Sequence, residues 1–238
     1  MNSVLIIIPT YNERTNIEIL LEQIFKLAIP NLKALVVDDN SPDGTGDLLE
    51  NLKSRYPIEV MHRPKKMGLG TAYQSAFKKI LAWKREKCPS FIVHMDADLS
   101  HDPKAIPIML QKIKDCDLVL GSRYTKGGKI NNWSLWRRLL SRFANFYART
   151  VLRLPYRDLT SGYKCYRLET IKNLDLEHIS SLGYNFLVET TYMAHNNGAK
   201  IIEVPITFVE RKRGSSKLGL KIIIESFLKI LKLAVKKR

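Results

Sequence analysis

The chain has 238 residues, 45% of them hydrophobic and 26% charged, a globular composition with room for one sizeable core. Its formal net charge of +16 calls for a polyanionic partner: nucleic acid, an anionic membrane surface or a phosphorylated substrate. No run reaches the ~20 apolar residues that span a bilayer, residues 5–8 are too short and lack the basic flank of a secretory leader, and Cys88, Cys116 and Cys165 match neither a disulfide framework nor a metal spacing, which points to a reducing compartment.

The elements alternate. Residues 4–8 form an apolar strand closed by Pro9, and Ile17, Leu20, Leu21, Ile24 and Phe25 follow at helical spacing. Residues 34–37 make a second strand ending in Asp38-Asp39. Ser41-Pro42-Asp43-Gly44 is a turn, and Leu48, Leu49 and Leu52 mark the next helix. A third strand covers 58–61. A basic glycine-containing loop at 63–70 opens a helix over 71–83. Then come a strand at 91–95, a helix at 103–114 and a strand at 118–120. Repeated βα units of this length predict an α/β fold with a doubly wound, mostly parallel sheet and flanking helices. In such sheets ligands sit beyond the carboxyl ends of the strands. Tyr11, Asn12, Glu13, Asp38, Asp39, Asp96 and Asp98 all follow strand ends and are expected in one crevice.

Asp96-Ala97-Asp98 ends the apolar run at 91–95, and its carboxylates, two residues apart on extended chain, point to the same side. Two like charges there gain from a cation between them, and Mg²⁺ or Mn²⁺, hard and oxygen-seeking, would leave positions open for a nucleotide diphosphate. The alternative is one aspartate capping the next helix and one solvated.

Residues 118–157 contain no Asp or Glu. On a helix starting near Ser134, Arg138, Arg142, Arg149 and Arg153 form one stripe, with Leu139, Leu140, Phe143, Phe146 and Tyr147 opposite and Arg137 and Ser141 as an i,i+4 pair beside it. This reads as an anion-facing helix. Residues 210–238 hold ten lysines or arginines against two glutamates. There Lys221, Glu225, Lys229, Lys232 and Lys236 make a polar stripe on an otherwise apolar helix. Lying in a membrane interface, or against the membrane helix of a small anchoring subunit, would bury that apolar face; packing on the chain's own core is the alternative.

The ordered set Ile8-Pro9-Thr10-Tyr11-Asn12-Glu13, Val37-Asp38-Asp39-Asn40-Ser41-Pro42-Asp43-Gly44-Thr45, Arg63-Pro64-Lys65-Lys66-Met67-Gly68-Leu69-Gly70, Met95-Asp96-Ala97-Asp98-Leu99-Ser100-His101, Gly121-Ser122-Arg123-Tyr124, Asp158-Leu159-Thr160-Ser161-Gly162 and Glu203-Val204-Pro205-Ile206-Thr207-Phe208, continuing to Arg211 and Ser216-Lys217-Leu218-Gly219, resembles the family 2 glycosyltransferases. Within them it is similar to the polyprenol-phosphate (dolichol-phosphate) mannosyltransferases over nearly its whole length.

That resemblance implies a GT-A fold over residues 1–217, followed by an amphipathic basic helix at 218–238. It implies metal-dependent, inverting transfer of mannose from GDP-mannose to a polyprenyl or dolichyl phosphate on the cytoplasmic face of a membrane. Pro9, Tyr11 and Glu13, with Val37 and Asp39, match positions that hold the guanosine end. Asp96, Ala97 and Asp98 match the metal and diphosphate site, and Arg211 and Lys217 a segment that closes over donor phosphates. Arg123, Arg137 and Ser141 match positions that hold the acceptor phosphate. Ser100 stands where some relatives offer a glutamine to the metal; Ser100, water or substrate phosphate completes the shell, or the metal binds more weakly. No catalytic histidine is required, because a phosphate monoester is already ionised at neutral pH. Polyprenyl-phosphate glucosyl transfer from UDP-glucose is the nearest alternative. A nucleic-acid-binding protein would account for the charge but has no need of four aspartates in one crevice, so nucleic acid is not expected as a partner.

Overall fold

A computed structural model describes residues 3–179, 181, 183, 185–210 and 220–235, without the side chains of 220–224. In chain order the elements are β1 (Val4–Thr10), α1 (Arg14–Phe25), β2 (Leu32–Asp38), α2 (Thr45–Leu52), β3 (Ile58–His62), α3 (Leu69–Leu81), β4 (Phe91–His94), α4 (Ile106–Lys112), β5 (Leu118–Ser122), β6 (Lys129–Asn131), α5 (Leu135–Leu152), β7 (Lys164–Arg167), α6 (Leu168–Lys172), α7 (Asn185–Asn196), β8 (Ile201–Pro205), β9 (Thr207–Val209) and α8 (Leu220–Val235).

The strand side chains divide by parity between two cores. Leu5, Ile7, Leu35 and Val37 face one side of the sheet, with Tyr73, Ala76, Phe77 and Ile80 of α3 and Phe186, Leu187 and Val188 of α7. Val4, Ile6, Ile8, Ala34 and Val36 face the other, with Ile17, Leu20, Leu21 and Ile24 of α1 and Ile106 and Met109 of α4. Burial on both faces is why these strands read as continuous apolar runs rather than alternating ones. Each buried Val, Leu, Ile, Phe or Met side chain among them contributes about 1.5–3 kcal/mol.

The main sheet has the order β3-β2-β1-β4-β7-β5-β8, and β6 pairs with β9 in a separate two-stranded sheet. Strands β1, β2, β3 and β4 run parallel, as do β5 and β8. The exception is β7, antiparallel to both β4 and β5 and lying between them. The mostly parallel expectation therefore holds, with one reversed strand that periodicity does not announce. The helix expected over 103–114 is α4 flanked by 3-10 turns at Pro103–Ala105 and Ile113–Asp115. Among the described residues no helix is long and apolar enough to cross a membrane.

Helix α5 begins where Ser134 Oγ accepts the Arg137 N–H at 3.3 Å and ends at Arg153 in the left-handed region, φ 54°. Its core contact is narrow: Asn145, Ala148 and Leu152 are buried, whereas Leu135, Trp136, Leu139, Phe143 and Phe146 are 50–74% exposed. The apolar side opposite the arginine stripe is thus largely at the surface. Helix α8 covers part of what remains. Phe227 meets Phe143 at a tilt and Tyr147 edge-on, Tyr147 Oη donates to the Phe227 carbonyl at 3.1 Å, and Ile230 enters the core. Leu228, Leu231 and Val235 stay exposed. Of the two alternatives for the C-terminal helix, packing on the chain's own core holds for the face with Phe227 and Ile230, and the face with Leu228, Leu231 and Val235 is open.

Candidate active site

Parallel register brings the strand ends to one edge. Pro9 pairs with Val37, Thr10 with Asp38, Asp38 with His62 and Ile7 with His94, so Tyr11, Asp39, Arg63 and Asp96 leave the sheet side by side. Asp38, expected in the crevice, is instead a buried turn-builder: it accepts from Thr10 Oγ1 and from the Ser41 amide and hydroxyl. Asp39 is also nearly enclosed. Its Oδ2 accepts the Met67 N–H at 3.1 Å and its Oδ1 lies 3.2 Å from Arg63 Nε, so it fastens the basic 63–68 loop to β2. The Val37 side chain belongs to the core and its carbonyl accepts from Thr10 Oγ1. Tyr11 carries the Lys66 ammonium 3.8 Å above its ring, and Glu13 accepts from Asn16 at 2.8 Å.

Asp96 and Asp98 line a cavity of about 190 Å³. Leu99 follows in the left-handed region, φ 61°, and turns the chain so that Ser100 N–H donates to Asp98 Oδ1 at 3.1 Å. His101 is 1% exposed and stacks on Tyr163. Burial pushes its imidazole down to about 4, against the opposing pull of the Asp98 carboxylate. The neutral ring accepts the Asp96 N–H at Nδ1, 3.1 Å, which places its proton on Nε2. Its 3.9 Å approach to Asp96 Oδ2 is therefore not an ion pair.

Two adjoining carboxylates on one cavity wall fit a hard divalent cation that takes its remaining ligands from phosphate and water. Gly162 keeps that wall open, since a Cβ there would lie 3.3 Å from the Asp96 carboxylate. Ala97 is buried, and so is Ser100, whose Oγ has no hydrogen-bond partner. Among the described residues no His, Cys, Asp or Glu joins the two aspartates to make a cluster of three.

The same cavity is lined by Arg123, Arg137 and Ser141. None of them is idle. Arg123 forms a bidentate buried pair with Asp158, both bonds 2.7 Å, and donates to Thr160 at 2.8 Å. Arg137 lies 4.2 Å over the Trp133 ring and donates to Glu210 at 2.5 Å. Ser141 Oγ accepts from Tyr124 Oη at 2.7 Å. Asn145 binds the Leu159 and Thr160 amides, locking α5 to the 158–160 loop, while Glu203 takes the Arg157 and Asp158 amides. Leu140, Leu187, Val188, Phe227 and Ile230 make an apolar stretch of the wall, and Thr160, Ser161, Asn185 and Ser226 are polar residues of the same lining.

Asp96, Asp98, Arg123, Arg137 and Ser141 thus share one cavity, and Pro9, Tyr11, Glu13, Val37 and Asp39 are not on its lining. Arg211 and Lys217 lie outside the described residues. Asp158, Glu210 and His101 carry roles that the sequence reading did not assign. Asp158 had a signal, as the first acid after the acid-free basic stretch. Glu210 acts through a contact across the fold, and His101 through a local turn back to the Asp96 amide; neither had a signal.

The family described as glycosyl transferase family 2 matches residues 5–175. The polyprenol monophosphomannose synthase of Mycolicibacterium smegmatis is 43% identical over 238 residues, 98% of this chain and 88% of that one. The undecaprenyl-phosphate mannosyltransferase of Micrococcus luteus is 42% identical over 228 residues, 95% of this chain and 92% of that one. Among solved structures, glucosyl-3-phosphoglycerate synthase from Mycobacterium tuberculosis, in complex with Mn²⁺, UDP and phosphoglyceric acid, superposes with a TM-score of 0.70 at 15% identity, covering 99% of this chain and 78% of that one. The architecture is GT-A-like.

Proposed function

We infer the activity from the fact that the chain belongs to glycosyl transferase family 2: it is a glycosyltransferase, and the reaction we propose is inverting transfer of mannose from GDP-mannose to a polyprenyl phosphate. The observation that carries this reading is a single cavity with a carboxylate pair at one end, arginines beside it and an apolar wall leading away. Such a cavity suits a diphosphate, an acceptor phosphate and the first units of a hydrocarbon tail. The catalytic unit is taken as residues 1–217, with 218–238 as the membrane-facing helix.

Asp96 and Asp98 would hold Mg²⁺ or Mn²⁺, which when bound offsets the charge of the leaving diphosphate. Ala97, whose side chain is buried, keeps the backbone between them close-packed. Pro9, Tyr11 and Glu13 take the guanosine end, over a floor fixed by Val37 and Asp39. Arg211 and Lys217 close on the donor phosphates. Arg137, Arg123 and Ser141 orient the acceptor phosphate, whose oxygen is already ionised and needs no base. Positioning of this kind is worth up to roughly 7–11 kcal/mol. The hydrocarbon tail stays in a bilayer, so the enzyme works as a peripheral protein on its cytoplasmic face, resting on the exposed apolar side chains of α5 and α8. A small anchoring subunit would occupy the same surface.

The test is product formation from a panel of nucleotide sugars with a short polyprenyl phosphate and Mg²⁺ or Mn²⁺. GDP-mannose is the expected donor; UDP-glucose turnover in its place would transfer the assignment to glucose. Asp98→Ala should abolish transfer without loss of fold, and EDTA should silence the wild type. Full activity in EDTA would remove the metal from the scheme.

A further inference from the structure

Beside the cavity lies a second cleft of about 400 Å³, lined by Arg123, which it shares with the cavity, and by Tyr124, Arg142, Phe146, Arg149 and Arg157. The acceptor assignment does not use Arg142, Arg149 or Arg157. Among the described residues none of their guanidinium groups pairs with a carboxylate, which is also true of Arg14, Arg85, Arg138 and Arg153, whereas those of Arg55, Arg63, Arg123, Arg137 and Arg167 do. The sequence supplies no local acid either, since 118–157 has none. Their backbones are nonetheless fixed. Arg142 and Arg149 are two turns apart on α5, whose Asn145 is bound to the 158–160 loop, and the Arg157 amide is held by Glu203 at 2.9 Å. Arg142 and Arg157 are exposed and Arg149 half-buried. Three guanidinium groups around one cleft, none paired with a carboxylate, are complementary to an oxyanion.

The cleft also has an apolar rim. Phe146 lines it and is 64% exposed, and Phe143 and Leu139, 54% and 50% exposed, continue the apolar face along α5. A free phosphate would use the arginines and leave these side chains in water; a phosphate carrying acyl chains would use both. The Tyr124–Ser141 hydrogen bond and the Arg123–Asp158 pair form the partition between this cleft and the cavity.

We propose that this cleft is a binding site for the headgroup phosphate of an anionic phospholipid, separate from the acceptor phosphate, which seats the enzyme on its membrane in a fixed orientation. The proposal rests on the peripheral-membrane reading above, and the experiment separates the two. Dihexanoyl-phosphatidylglycerol, soluble as a monomer, is titrated into the full chain by calorimetry, with inorganic phosphate and dihexanoyl-phosphatidylcholine in parallel. Transfer to a short soluble polyprenyl phosphate is measured on the same preparations, and thermal unfolding checks the fold.

Phosphatidylglycerol should saturate at one per chain and bind more tightly than the other two. Arg149→Ala/Arg157→Ala should weaken it by roughly tenfold or more, and Arg142→Glu alone by a similar factor. A charge-matched change at exposed positions elsewhere, Lys84→Ala/Lys87→Ala, should leave binding unchanged, and all variants should keep wild-type transfer to the soluble acceptor. Equal losses in the matched and cleft variants would reduce the effect to diffuse electrostatics and overturn the proposal. So would inorganic phosphate binding as tightly as the lipid, or loss of soluble-acceptor transfer in parallel with lipid binding, which would merge the cleft with the acceptor site. Lipid binding with this variant pattern in a chain that transfers no sugar would defeat the enzymatic reading and leave the site standing.

Discussion

Arg137 is held by Glu210, so under the acceptor assignment proposed above a phosphate would have to displace a carboxylate. The pair is partly exposed, with side chains 23% and 36% accessible, and such pairs are worth about 0.2–1 kcal/mol. Glu210→Gln should therefore lower KM for a short polyprenyl phosphate by up to about fivefold and leave KM for the donor unchanged. Steady-state kinetics against each substrate checks this, and a raised acceptor KM would mean that Glu210 assists binding. Residues of this kind separate what could be read from the sequence from what could not. Asp96 and Asp98 announce themselves because two carboxylates at the end of an apolar strand need an explanation. Glu210 and His101 do not: the partner of Glu210 is Arg137, 73 positions away, and His101 reaches the Asp96 amide only because the chain turns through the left-handed region at Leu99, which a leucine does not announce.

At the level of elements, α5 presents three faces. One, with Arg137, Leu140, Ser141 and Ala144, lines the cavity; one, with Arg142, Asn145 and Arg149, lines the basic cleft; and one, with Leu135, Trp136, Leu139, Phe143 and Phe146, is open. Helix α8 has two functions that removing it would confuse. Ser226, Phe227 and Ile230 close the cavity, while Leu228 and Leu231 point away from it. Leu228→Ser/Leu231→Ser is the cleaner test of attachment. It should reduce sedimentation with anionic liposomes, and lower transfer to long-chain acceptors, while transfer to a short soluble acceptor stays at the wild-type rate. Unchanged sedimentation would leave α5 as the docking surface. The β-strands of the first half were legible because both faces are buried and the apolar runs are unbroken. Strand β7 was not: Lys164-Cys165-Tyr166-Arg167 is short and begins and ends on a cation, so pattern alone assigns it to a loop. The three-residue strands β6 and β9 left no periodicity to find.

Across the whole molecule, Lys164 couples folding to pH. It is fully buried, and its ammonium donates to the Leu187 carbonyl and to Thr191 Oγ1 at 2.7 Å, joining β7 to α7. Burial lowers its pKa from 10.5 to about 7, against the attraction of Asp158. Between those two values the unfolded chain binds a proton that the folded one does not, so this residue makes stability rise as pH increases through the window, and the cost of burying its charge is fully present below it. Lys164→Met removes that dependence. Urea unfolding at pH 7, 8 and 9 should show the wild type gaining on the variant at each step; a constant difference would show that Lys164 does not titrate in this window.

Strand β7 also acts as a spacer. Parallel strands joined by ordinary βα units tend to lie next to one another, which would set the end of β4 directly beside the end of β5. With β7 between them, His94 and Leu120 both pair with Lys164 from opposite sides. Neighbouring strands lie about 4.8 Å apart, so the chain ends that carry Asp96 and Arg123 are separated by two strand widths, about 10 Å. One reversed strand, drawn in from forty residues further along the chain, sets the spacing between the Asp96 and Arg123 ends of the cavity wall.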